Sequence, residues 1–188
     1  YLGKTIPDYF YGLNLDFNYR NFDLNIFFQG VGGVQLYNNA RQDLLNIALG
    51  GGARNGLAEA MGRWTGEGTS NTIPRAVSSD PNSNGRFSDR FVEDGGFMRL
   101  RNLQLGYNIP AEVFGGRVFK SARVYLSATN ILTLTPYSGL DPEVMTFASS
   151  GSQVGENFAN NVQQGGAGTD DGRIPIPRVF QLGLNVSF

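Results

Sequence analysis

The chain contains neither cysteine nor histidine. Without cysteine there is no disulfide, no thiolate metal site and no thiol nucleophile. Without histidine the commonest general base is gone, and with it the usual serine–histidine triads. An excess of either charge is also missing. Fifteen Lys and Arg stand against sixteen Asp and Glu, a net charge of −1, so there is no basic footprint for nucleic acid. No run approaches the roughly 18 apolar residues of a membrane-crossing helix. That excludes helical spans only, because a membrane barrel carries its apolar face in alternation and reads as polar on average. The chain opens on Tyr1-Leu2-Gly3 with no initiator Met and no leader. This start is expected to be the interior of a longer chain, a processed mature terminus being the alternative, so the missing leader says nothing of destination.

What is present is period-2 alternation. Phe180, Leu182, Leu184, Val186 and Phe188 share one parity, and Gln181, Gly183, Asn185 and Ser187 share the other. That is the pattern of a strand with one apolar and one wet face. Tyr11, Leu13, Leu15, Phe17 and Tyr19 alternate with Gly12, Asn14, Asp16 and Asn18. Arg20-Asn21 then makes a tight connection to a second run, Phe22, Leu24, Ile26 and Phe28, with Phe27 out of pattern. The pair predicts a β-hairpin whose arms are long enough to cross a bilayer as tilted strands. A strand is predicted over Phe97–Ile109, where Met98 and Leu100 have the opposite parity to Leu103, Leu105 and Tyr107. That break predicts a bulge near Arg101-Asn102. Further strands are predicted over 121–134 and from about Ile176 to Phe188.

Two stretches lack the pattern. Residues 30–96 carry glycine clusters and the run Ser78-Ser79-Asp80-Pro81-Asn82-Ser83-Asn84-Gly85, with a short helix predicted over 40–49. Residues 135–174 are again rich in Gly, Asn and Ser. A connection this long without structure of its own is expected to be functional. The connections therefore run short, long, short, long, the asymmetry of outer-membrane barrels with brief periplasmic turns and extended outer loops. Tyr19, Phe22, Tyr107 and Phe188 all fall at the short-turn ends, where an interfacial aromatic girdle belongs. The fold class expected is all-β, a transmembrane antiparallel β-barrel. Five strands cannot close one alone, because an open edge in lipid leaves backbone groups unpaired. A soluble β-sandwich binding module also alternates, but it gives no reason for the girdle.

Several segments together resemble the C-terminal end of SusC/RagA-type TonB-dependent transporters of the Bacteroidetes outer membrane. They are Trp64-Thr65 with Thr72-Ile73-Pro74-Arg75, then Asp94-Gly95-Gly96-Phe97-Met98-Arg99-Leu100-Arg101-Asn102-Leu103, continuing to Pro110. Ala128-Thr129-Asn130-Ile131-Leu132, Tyr137-Ser138-Gly139-Leu140-Asp141-Pro142-Glu143 and Ile176-Pro177-Arg178 running into the last strand follow in order. The resemblance implies a barrel of about 22 strands with an N-terminal plug. Residues 1–188 would be its last five strands with two long extracellular loops, the plug domain lying outside this chain. It implies import of oligosaccharides or peptides across the outer membrane of a Gram-negative bacterium, driven by TonB-ExbB-ExbD, with a SusD-like surface lipoprotein as partner. A ligand-sensing, signalling receptor of the same kind is the alternative.

The candidate ligand contacts are the loop residues Trp64, Arg75, Tyr137 and Asp141. An indole stacks on sugar or peptide and a guanidinium hydrogen-bonds it; the plainer reading has Trp64 anchoring the loop and Arg75 in a structural ion pair. Asp141-Pro142-Glu143 and Asp170-Asp171 gather carboxylates, but neither calcium-loop spacing nor a paired-acid mechanism is supported. Asp141 is better read as ordering its loop. No metal, no cofactor and no catalytic set is expected. Arg99, Arg101 and Arg123 should face the lumen, since Arg at mid-bilayer costs about 2–4 kcal/mol; Arg101 has the wrong parity unless the bulge resets it. Phe180, Leu182, Leu184, Val186 and Phe188 are expected to face outer-membrane lipid and to be read by the barrel-assembly machinery through strand pairing.

Overall fold

The computed structural model describes residues 3–46, 55–77, 80–114, 121–143 and 168–187. Its elements in chain order are β1 (Tyr9–Tyr19), β2 (Phe22–Gly32), β3 (Gln35–Asn38), α1 (Asn39–Leu45) and β4 (Val92–Asp94). β5 (Phe97–Ile109), β6 (Ser121–Leu134), β7 (Thr169–Asp170) and β8 (Val179–Ser187) follow. They fall into two compact units, one drawn from 7–33, 96–136 and 175–188, the other from 1–6, 34–95 and 137–174.

The first unit is a five-stranded antiparallel sheet in the order β1-β2-β5-β6-β8. Its register lines up the alternating residues of every strand. Leu15, Ile26, Leu103, Ala128 and Phe180 form one row across the sheet, and Phe17, Leu24, Leu105, Leu126 and Leu182 form the next. The third row is Tyr19, Phe22, Tyr107, Val124 and Leu184, with the Phe22 and Tyr107 rings 4.8 Å apart. Three of the four expected girdle aromatics thus share a row, and the fourth, Phe188, lies outside the described residues. The opposite face carries Asp16, Asn25, Gln104, Ser127 and Gln181 in register. Phe27, out of pattern in sequence, lies on this polar face over Gly12.

The predicted bulge is there. The register of β5 skips Arg101 against both neighbours, so Leu100 and Leu103 share one face despite their odd separation. An extra residue flips the parity of everything beyond it. The strands differ from expectation at their ends. β1 starts at Tyr9 and β2 runs on to Gly32, because the Tyr11 and Tyr9 rings lie over Gly30 and Gly32. A Cβ on either glycine would come within 2.4 Å of those rings. β8 starts at Val179, not near Ile176, since Pro175 and Pro177 have no N–H to give a ladder.

The second unit corrects the expectation of a structureless connection over 30–96. β4-β3-β7 make a small sheet, antiparallel between β3 and β4 and parallel between β3 and β7. A core of Tyr37, Leu45, Ala60 and Phe91 packs beside it. Phe87 stacks on Tyr37 at 4.1 Å and Phe91 meets it edge-on. The helix is shorter than the 40–49 expected, with Asn38 capping it by accepting a hydrogen bond from the Arg41 N–H. Residues 47–49 of that expectation lie outside the described set, as do 144–167 of the second connection.

Candidate functional site

The polar face of the sheet gathers the three strand arginines. Arg123 donates from Nε to Asp23 Oδ1 at 3.0 Å and makes a second bond from Nη2 to the other oxygen. Asn108 donates to the same carboxylate at 3.1 Å. Arg101 donates to Gln29 at 3.0 Å and to Asn130 at 3.2 Å, which the bulge makes possible. Arg99 is almost wholly buried and donates to Thr133 Oγ1 at 2.9 Å. Farther along, Asn25 links Asn14, Asp16 and Asn102. No charged residue stands in the rows of the opposite face.

In the loop unit Glu93 is a hub. It accepts from the Ser138 N–H and Oγ at 2.8 Å each, from Asn38 at 3.1 Å and from Arg41 at 3.3 Å. Burial alone would raise its carboxyl pKa, but these donors outweigh burial and hold it below the ordinary value. Arg41 bridges on to Glu59 at 2.9 Å. Tyr137 is 5% exposed and donates its hydroxyl to Asp170 at 2.7 Å. Burial, then Asp170, push its phenol pKa far upward, so it stays a donor. Asp141 accepts from the Glu143 N–H at 2.9 Å, a short turn within its own loop.

A cavity of about 560 Å³ opens in the same unit. Trp64 and Arg75, the two candidates from the first long loop, both line it, together with Arg90, Asp80 and Asn84. The Trp64 backbone N–H donates to the Ile73 carbonyl at 2.9 Å. Asp80 has φ +39° and accepts from the Asn84 and Gly85 N–H groups at 2.8 Å each, which tie the loop into a closed turn. Those bonds, with Arg86 nearby, hold its carboxyl below the usual range. Among the described residues no carboxylate pairs with Arg75 or Arg90. Tyr137 and Asp141 do not line this cavity.

No family model matches the chain. TonB-dependent receptor P3 of Formosa agariphila is 34% identical over 187 residues, covering 100% of this chain and 17% of that protein. TonB-dependent receptor SusC of Bacteroides thetaiotaomicron is 24% identical over 98% of this chain and 16% of its own length. Among solved structures, the RagAB peptide importer in its 'closed-closed' state superposes with a TM-score of 0.76. There 26% identity holds over 99% of this chain and 18% of that one. Over its whole length the chain is homologous to TonB-dependent receptors, SusC and RagAB among them. It spans less than a fifth of the length of the relatives it matches.

Two residues, Arg90 and Glu93, escaped the sequence reading. Arg90 joins Trp64 and Arg75 at the cavity, although it stands fifteen residues beyond Arg75 in a stretch with no periodicity. The only hint was the turn-rich run from Asp80 to Gly85, which folds the chain back. Glu93 gave none, since its four hydrogen bonds come from Asn38 and Arg41 at the start of α1 and from Ser138, both far from it in sequence.

Proposed function

We propose that this chain is the C-terminal part of the β-barrel of an outer-membrane importer driven through TonB, with the plug in the remainder of the protein. One observation carries the reading. Five strands align every apolar row on one face without a charge, and Phe17, Leu126 and Leu182 on that face are each more than half exposed. An apolar face that wide is a lipid or protein contact, not a surface for water. The opposite face, with its arginines and amides, suits a watery lumen. β1 and β8 are the outer strands of the sheet. In a barrel β8, with Phe188, would pair with the first strand and be handed over by the barrel-assembly machinery.

The ligands of this reading are oligosaccharides or peptides, and the partner is a SusD-like surface lipoprotein. Kinship with SusC and RagAB supports the partner, and likeness to the RagAB peptide importer supports a peptide among the ligands. Trp64 and Arg75 are the proposed ligand contacts, because both line one cavity in the loop unit. The test is uptake of labelled oligosaccharides and peptides by cells making the full-length protein, with and without TonB. Uptake should be lost with TonB. Uptake that persists without it would overturn the importer reading.

A further inference from the structure

The Trp64 cavity is chemically lopsided. Two guanidiniums, Arg75 and Arg90, line it without a carboxylate partner among the described residues. Asp80, also on the wall, is already turned onto the N–H groups of Asn84 and Gly85, with Arg86 beside it. Its charge is therefore largely answered locally, and the two arginines are left to attract an anion. A guanidinium presents paired N–H groups that match carboxylate or sulfate oxygens.

The rest of the wall says what carries the anion. Asn71, Asn82 and Asn84 line the cavity. An amide both donates and accepts, as a sugar hydroxyl requires of its partner. Trp64 adds a flat apolar ring for the face of a sugar. Ile73, Pro74, Val77 and Pro81 supply the apolar part of the wall beside that ring. We propose that this cavity binds an oligosaccharide bearing carboxylate or sulfate groups, Arg75 and Arg90 holding the anion and Trp64 stacking on the ring. The proposal rests on the importer reading and names its ligand class.

The test is calorimetric titration of the full-length receptor in detergent. The probes are tetragalacturonate, a sulfated galactan tetramer, neutral maltotetraose and a tetraglutamate peptide. One or both anionic saccharides should bind, and which one separates carboxylate from sulfate. Arg75→Gln and Arg90→Gln should each weaken that binding by roughly tenfold or more, the loss expected for a charge-assisted hydrogen bond. Trp64→Ala should weaken it with the salt dependence retained. Binding of no probe, equal binding of maltotetraose or tetraglutamate, or unchanged binding by both arginine variants would overturn the proposal. TonB-dependent uptake that survives such a result leaves the importer reading standing and removes this site from it.

Discussion

Arg123 on β6 reaches across β5 to hold Asp23 on β2, and Gly106 lies beneath the bridge. A Cβ at Gly106 would stand 2.5 Å from both Arg123 Nη2 and Asp23 Oδ1. The absent side chain is what lets two strands that are not neighbours be tied on the polar face. Arg123 also lies over the Tyr125 ring at 5.2 Å, so its guanidinium is held from two sides.

Gly106→Val should therefore undo the ion pair by crowding its two ends. Its cost should match that of Asp23→Asn, about 1 kcal/mol for a pair whose side chains are 24% exposed. Urea unfolding of the full-length protein in detergent measures both. The double variant should lose little more than either single one. Losses that simply add would show that the glycine and the ion pair act separately.

Parity makes a sharper prediction on β8. Leu182→Arg puts a guanidinium on the apolar face and should cost about 2–4 kcal/mol if that row lies near mid-bilayer. Gln181→Arg, one residue away on the other face, should cost less than about 1 kcal/mol. The comparison uses the same unfolding measurement and one strand. Equal costs would refute a lipid-facing row.

Glu93 gives the loop unit a pH dependence. Its pKa is depressed in the folded state, so its stabilisation is complete above the ordinary carboxyl value of 4.5 and is lost as pH falls through the lower folded value. Hydrogen exchange at the Ser138 amide, which donates to Glu93, should therefore accelerate, relative to an unstructured amide at the same pH, as pH drops from 6 to 3. Glu93→Gln should abolish that relative change and cost about 1–3 kcal/mol at neutral pH, because an amide cannot accept from all these donors.

Tyr137 and Asp141 are neighbours in sequence with different weights in the fold. Tyr137→Phe leaves one oxygen of the buried Asp170 without its donor, the other keeping the Gly172 N–H, and should cost about 1–3 kcal/mol. Asp141→Ala removes the turn bond from the Glu143 N–H and should cost less than Tyr137→Phe. Limited proteolysis of the loop unit should rank them in that order. The reverse order would mean that the Tyr137–Asp170 contact does not hold the unit together.

The sheet was legible in the sequence and the loop unit was not, for one physical reason. A strand's side chains alternate strictly, so Leu103, Leu105 and Tyr107 announce their face from sequence alone, and the broken parity at Leu100 announces the bulge. The core of Tyr37, Leu45, Ala60 and Phe91 has no such spacing. It forms because distant turns return to one place, and turn residues reveal that a chain bends without saying where it arrives. Gly30 and Gly32 misled for a related reason. Glycine reads as loop, yet here it makes room for a tyrosine ring on the next strand. Of the candidate contacts, Trp64 and Arg75 lie eleven residues apart in one turn-rich loop and meet at a cavity, whereas Tyr137 is spent on Asp170.

Those tyrosine rings have a consequence for how the sheet is put together. Alternation alone forbids a strand from sliding by one residue, since that would exchange its faces. It permits a slide of two. Tyr9 over Gly32, Tyr11 over Gly30 and Tyr125 over Gly183 oppose that, because each ring lies over a residue where a side chain would collide with it as placed. The tyrosine–glycine pairs thus act as alignment pins, favouring the native register over its neighbours.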